Sequence, residues 1–220
     1  MELSRLISLI GKCLLGAGLL IFIYLLLLIS LQYIPLRNDV AFLILKENEI
    51  KNIHYQIAFF THVYTSWFVI FFGFFQFWKT LRKGYKKLHL CFGYIYISLI
   101  LCLAGPSGLV MSVYANGGLI AKTSFILLSI LWLYFTYKAY IAIREKNFAL
   151  HEKYMLRSYA LTLSAVSLRL FKMILANTLQ LPPMDMYKIV AWSSWIFNLI
   201  IAEIYIRRKF PELTTSPTAP

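Results

Sequence analysis

Three of the four histidines in this chain of 220 residues, His62, His89 and His151, fall within or at the edge of long apolar runs, and one arginine, Arg169, lies inside another. Ionisable groups in a bilayer are costly, so they mark the bundle interior and often a site. At about 100° per residue, His89 shares a helical face with Gly93, Tyr96, Ile100 and Ser107. His151 shares one with Met155, Ser158, Thr162 and Arg169, and His62 with Thr65, Ser66, Gly73 and Gln76. His89 and His151 are therefore expected at one depth near the cytoplasmic surface, on two different helices. Two imidazoles so placed are what axial ligation of one b-type haem requires, with His89 and His151 as the iron ligands. Gly93 would leave room beside the ring, and Lys86, Lys87, Lys153 and Arg157 would bring positive charge to the propionate edge. Met155, Tyr94, Tyr96 and Tyr159 would pack on the porphyrin. The competing reading is two unrelated interfacial histidines bonded to headgroups, loop carbonyls or water.

His62, Thr65, Ser66 and Arg169 form a second candidate, a polar pocket in the outer half of the bundle. It suits water, a quinone headgroup or a proton; plain hydrogen bonding between helices is the competing reading. A second haem is disfavoured, because the fourth apolar run contains no histidine to face His62.

The elements that position these groups follow from composition. Hydrophobic residues make up 60% of the chain, charged residues 14%, and mean hydropathy is +0.69. Soluble domains carry about 25% charged residues, so a soluble enzyme, a nucleic-acid module and a disordered chain are all excluded. Six runs approach or exceed the roughly 20 residues that cross a bilayer as a helix: 13–34, 57–78, 90–114, 119–143, 155–176 and 187–206. They are continuous rather than alternating, which argues against strands. The sequence thus predicts an all-α integral membrane protein, a six-transmembrane-helix bundle over residues 1–209, with a disordered cytoplasmic tail at 210–220.

The net charge of +13 is assigned to loops rather than to nucleic acid. Fifteen of the 22 Lys and Arg residues lie on one side of the predicted membrane, including the group at positions 79, 82, 83, 86 and 87. Both termini are therefore expected in the cytoplasm, with the basic loops against anionic lipid headgroups. The first run is too long for a signal-peptide core and lacks a small-residue cleavage site, so it is read as a retained anchor. The 35–56 loop contains a short apolar run that is expected to lie on the outer interface as a short helix.

Cys13, Cys91 and Cys102 all fall in predicted spans and form no C-x-x-C; small apolar filler is their expected role. No nucleotide-binding, hydrolase or zinc-protease motif is present. Glu203 and Arg207 are expected to pair at i,i+4. Trp132, Trp192 and Trp195 are expected to pack or to sit in an interfacial belt. Gly105-Pro106 is expected to bend or break the third span.

Several motifs resemble the DUF2306 family of bacterial membrane proteins. They are Phe74-Phe75-Gln76-Phe77, Leu81-Arg82, Leu88-His89, Gly93-Tyr94-Ile95-Tyr96, Trp132, the stretch from His151-Glu152-Lys153-Tyr154 to Met155-Leu156-Arg157-Ser158, Leu168-Arg169-Leu170, and Asn198 with Glu203 and Arg207-Arg208. The resemblance spans about residues 62–208 and implies the fold and topology, with His62, His89, His151, Arg157 and Arg169 as motif positions. It names no reaction. Where the family usually carries basic residues after the His89 and Gly93 positions, this chain has Leu90 and Tyr94. In architecture the chain is also similar to cytochrome b561-type six-helix proteins, whose haem between the third and fifth helices matches His89 and His151 by helix number.

The expectation is a multi-pass protein of the bacterial inner membrane that binds one haem b and exchanges electrons with a quinone or a redox partner subunit. Two alternatives of other classes stand beside it. One is a transporter or proton-coupled channel using His62, Arg169 and the Gly105-Pro106 break. The other is a non-catalytic accessory or assembly subunit.

Overall fold

In a lipid environment each backbone N–H and C=O must find its partner within the segment, so continuous apolar runs become helices. The computed structural model describes residues 2–211 and is helical throughout, with no strand among the described residues. The tail beyond Pro211 lies outside the described residues.

α1 runs Glu2–Leu31, α2 Ile53–Gln76 and the short α3 Lys79–Gly84. The third span is built from α4 (Lys86–Ser98), a π-helical turn (Leu99–Ala104) and α5 (Gly105–Val113). α6 covers Gly118–Arg144; α7 (Phe148–Thr162) and α8 (Ser164–Thr178) make the fifth span, and α9 is Pro183–Lys209. Five helices or stacked helix pairs are long and apolar enough to cross a membrane, and α1 has an apolar stretch at Gly16–Leu31. Asn52 and Asn147 start α2 and α7 as caps, accepting from the backbone N–H of His54 and Leu150.

α2, α4–α5, α6, α7 and α9 surround the main core, while α1 lies against α2 and α8 against α9. Val69, Tyr96, Ile100, Ala104 and Ala139 form the centre of the core. Gly73 lets α2 approach it closely: a Cβ there would come within 2.5 Å of the Tyr159 ring and 2.8 Å of Tyr96.

Two spans are interrupted. Pro106 has no N–H, and ahead of it the Gly105 N–H reaches back to the Ile100 carbonyl, five residues away. Gly105 has no side chain to spare, since a Cβ would sit 2.5 Å from that oxygen and 2.4 Å from Leu133. In the fifth span, Leu163 interrupts the helix, and Asn198 of α9 donates its amide to the Ala160 carbonyl (3.1 Å) while accepting from Ser167 Oγ (2.8 Å).

The 35–56 loop differs from its expected surface helix. Ala41–Lys46 and Glu49–Lys51 are 3-10 turns, and Leu43 is wholly buried among Tyr33, Tyr55 and Phe59. Lys46 is buried too, at 1% exposure. Its ammonium donates to Glu49 Oε1 (3.0 Å), the Tyr114 carbonyl and Asn116 Oδ1, so all three N–H bonds are used. The loop is thereby fastened to the end of the third span. The three cysteines are free and lie on the outer surface of the bundle.

Candidate functional site

His151 lies in the first turn of α7, which packs along α6, and its Nδ1 is 2.8 Å from the Ala139 carbonyl. A carbonyl only accepts, so Nδ1 carries the hydrogen and Nε2 of the neutral ring presents a lone pair. No described residue bonds that Nε2. His89, in the first turn of α4, has an enclosed Nδ1 with no hydrogen-bond partner, and it lies within electrostatic range of His151. Both imidazoles of the expected ligand pair thus stand in the first turn of their helices, at the end of the bundle that the Arg82–Glu152 pair joins, each with an uncommitted nitrogen.

Their surroundings differ from expectation in three respects. The notch at Gly93 is filled by Gln76, whose Oε1 would be 3.2 Å from a Cβ there and whose amide faces the His89 carbonyl at 3.4 Å. Tyr94 faces outward at 56% exposure, Tyr159 lies against Gly73, and Met155 is buried in the core. Glu203 pairs with Arg157 rather than with Arg207, through Nε–Oε1 (2.5 Å) and Nη2–Oε2 (2.9 Å). The packing of α7 on α9 brings the Arg157 guanidinium onto both oxygens of Glu203 as a fork. Beside His151, Glu152 takes Arg82 (3.3 Å) and Lys209 (2.5 Å) on one oxygen, joining α3, α7 and α9. Lys86 and Lys87 are exposed and make no ion pair among the described residues.

Further into the bundle the same two helical faces meet in a closed hydrogen-bond network. Thr136 Oγ1 donates to the Trp132 carbonyl and Thr162 Oγ1 to the Ser158 carbonyl. Ser158 must then donate to Thr136 (2.7 Å), and Tyr96 donates to Ser158 (2.9 Å) or Thr162 (3.0 Å). Trp132 donates Nε1–H to Thr162 at 3.0 Å. Every hydroxyl and indole proton has an acceptor, and α4, α6 and α7 are tied together.

In the other half of the bundle His62 Nδ1 donates to the Ala104 carbonyl at 2.9 Å, beside the π-helical turn. Gly108 accommodates the ring, since a Cβ there would lie 3.0 Å from His62 Cε1. Thr65 and Ser66 return their hydroxyl protons to carbonyls of their own helix, Thr61 and His62. Arg169 is accessible, and its Nη1 folds back to the Ala165 carbonyl at 2.8 Å. That carbonyl is one turn nearer the middle of the span, so the guanidinium does not reach outward. His62 and Tyr33 are within its electrostatic range, and no carboxylate among the described residues pairs with it. The break at Leu163 falls between His151 and Arg169.

Residues 59–206 match the family model DUF2306, described as a predicted membrane protein. The chain belongs to the DUF2306 family. Neither the curated proteins nor the solved structures contain a match to it. The DUF2306 region holds His62, His89, His151, Arg157, Arg169 and Glu203, and all of the buried hydroxyl network. Lys46 and its loop precede it.

Two features of this DUF2306 chain were not anticipated from the sequence. Lys46 looked like an ordinary loop charge, although its position after the apolar run 40–45 was the available signal. The pairing of Arg157 with Glu203 had no local signal, because the partners are 46 residues apart.

Proposed function

We propose that this multi-pass protein has six spans, resides in a bacterial cytoplasmic membrane and is a redox protein that holds one b-type haem between His89 and His151. The observation that carries this reading is two imidazoles at one end of the bundle, in the first turns of α4 and α7, one with Nδ1–H on the Ala139 carbonyl and a free Nε2, the other with an enclosed and unpartnered nitrogen. An N–H held by a carbonyl orients a ligating histidine and raises the basicity of its other nitrogen. Among the described residues no three metal-ligating side chains cluster. Two histidines alone suit a metal that brings its own equatorial ligands, and a porphyrin brings four nitrogens.

When bound, haem supplies one-electron transfer. The chain's own residues position and bound it. Gln76, a flexible side chain against Gly93, yields the space beside His89. Lys86 and Lys87 carry unmatched positive charge at the same end of the bundle, and Arg157, held by Glu203 through Nε and Nη2, keeps its Nη1 donors for a propionate. The Tyr96–Ser158–Thr162–Trp132 network closes the site toward the middle of the membrane.

The test is a reduced-minus-oxidised spectrum of protein purified from haem-replete cells. The reading expects a b-type spectrum that His151→Ala and His89→Ala abolish while the protein still elutes as a folded species. A colourless wild-type protein overturns it.

A further inference from the structure

A groove of about 390 Å³ runs along one side of α9, and neither histidine of the haem site lines it. Trp195, Ile196, Ile200, Glu203, Ile204 and Arg207 are among its walls. They recur at three- and four-residue steps and so form one stripe of the helix. From Trp195 to Arg207 the stripe is about 18 Å long. The groove lies where α9 changes neighbours. Trp195 donates its indole N–H to Ser124 Oγ of α6 at 2.9 Å, and Ser124 donates to the Ala191 carbonyl at 2.7 Å. Two turns further along, Glu203 takes the Arg157 guanidinium of α7. The groove extends from the first attachment to just past the second.

Its two ends differ in chemistry. At one end Trp195 is buried and its only polar atom is committed to Ser124. Ile200 and Ile204, in the middle, are exposed. At the other end stand Glu203 and Arg207. Arg157 answers both oxygens of the Glu203 carboxylate, so that pair adds no free charge. Arg207 lies in the last turn of α9 and makes no ion pair among the described residues. Its neighbour Arg208 is also unpaired but does not line the groove, and Lys209 is bound to Glu152. The groove is therefore apolar along its length, with one surplus cation at the end of the helix.

We propose that this groove binds one anionic phospholipid, with an acyl chain along Ile196, Ile200 and Ile204 and the phosphate on the Arg207 guanidinium. The occupant must be apolar over most of the stripe and anionic at one end, which is the plan of such a lipid. A guanidinium presents a fork of donors that matches phosphate oxygens, and basic pockets at helix ends hold lipid headgroups. A zwitterionic lipid brings the same chain and phosphate but sets an ammonium beside Arg207, so it binds less well. The site is independent of whether haem is present.

The test is native mass spectrometry of protein delipidated in detergent and re-equilibrated with equimolar dioleoyl phosphatidylglycerol and dioleoyl phosphatidylcholine, which share their chains. The wild type is expected to retain one phosphatidylglycerol with about fivefold preference, the scale of one basic residue against an anionic headgroup. Arg207→Gln is expected to bring the ratio close to unity with an unchanged melting temperature. Arg208→Gln, next in sequence but off the groove, is expected to keep it. Ile200→Trp fills the groove and is expected to lose both lipids. Equal retention of the two lipids by the wild type overturns the proposal. So does an equal loss of preference in Arg207→Gln and Arg208→Gln, which would mark diffuse attraction to a basic surface. A stable dimer that Ile200→Trp splits would give the groove to a second copy and overturn it as well. If Ile200→Trp does not fold, the comparison of Arg207→Gln with Arg208→Gln still decides. The haem spectrum is a separate readout, so either proposal can fail alone.

Discussion

His62 of α2 donates its Nδ1 hydrogen to the carbonyl of Ala104, 2.9 Å away, at the junction between the π-helical turn and α5. The bond fixes the imidazole tautomer and the crossing of two spans together. Residue 108, one turn beyond Ala104, is glycine and leaves the ring its room. In Gly108→Ala a Cβ would lie 3.0 Å from Cε1 and 3.2 Å from Nδ1 of His62. The ring must shift, with an expected cost of about 1–3 kcal/mol, read as a lower melting temperature in detergent. Gly108→Ala with unaltered stability would mean that the ring has room to move.

Thr162 accepts from Trp132, receives one of the two Tyr96 contacts and donates to the Ser158 carbonyl. Tyr96→Phe removes only a donor and is expected to cost about 1 kcal/mol. Thr162→Val also strands the Trp132 indole N–H and is expected to cost more, about 2 kcal/mol. The double variant should cost less than the sum, because both changes dismantle one network. Additive losses in unfolding measurements would contradict that coupling.

Arg157 and Glu203 are the fork between α7 and α9. Glu203→Gln leaves a partly enclosed guanidinium without its counter-ion and is expected to destabilise the protein by about 1–3 kcal/mol. Arg207→Ala should be within about 0.5 kcal/mol of wild type, since Arg207 does not pair with Glu203. The reverse ranking in thermal unfolding would assign Glu203 to Arg207 instead.

The loop lock has a defined pH dependence. The hydrogen bond from the Lys46 ammonium holds the Glu49 carboxyl below its usual range. A depressed folded-state pKa means that stability is fully present above the unfolded value, about 4.3, and is lost as pH falls through the lower folded value. Hydrogen exchange in residues 41–51 should therefore quicken on acidification below about pH 4, beyond the intrinsic pH dependence. In Lys46→Met the loop should already exchange faster at neutral pH and show no further acid response. An acid response that persists in that variant would place the titrating group elsewhere.

The charge bias sets the orientation. With 15 of the 22 basic residues on one side, both termini are expected in the cytoplasm. A fusion of alkaline phosphatase after Lys209 should be inactive and a green fluorescent protein fusion there should fluoresce; an active phosphatase would reverse the topology.

Fold class was legible because lipid imposes a strong rule on sequence: apolar runs of sufficient length must close their backbone hydrogen bonds as helices. The inward faces were legible for a related reason, since periodicity alone aligned Tyr96 with Ile100 and Ser158 with Thr162, and all four are buried. The irregular turn ahead of Gly105-Pro106 was written in proline's missing N–H, and it takes the form of a π-helical turn within a continuous span. Other outcomes depend on what lies across the bundle. Arg157 could reach several acids, and the packing of α7 on α9 selected Glu203. Gly93 looked like empty space until Gln76 of α2 was brought against it. Lys46 resembled a loop charge, and only the meeting of its loop with Tyr114 and Asn116 supplied the acceptors that let an ammonium be buried. The break at Leu163 is met from α9 by Asn198, whose amide reaches the Ala160 carbonyl. A sequence specifies which groups must be satisfied; which partner satisfies them is decided by distances between helices, and those exist only in the packed bundle.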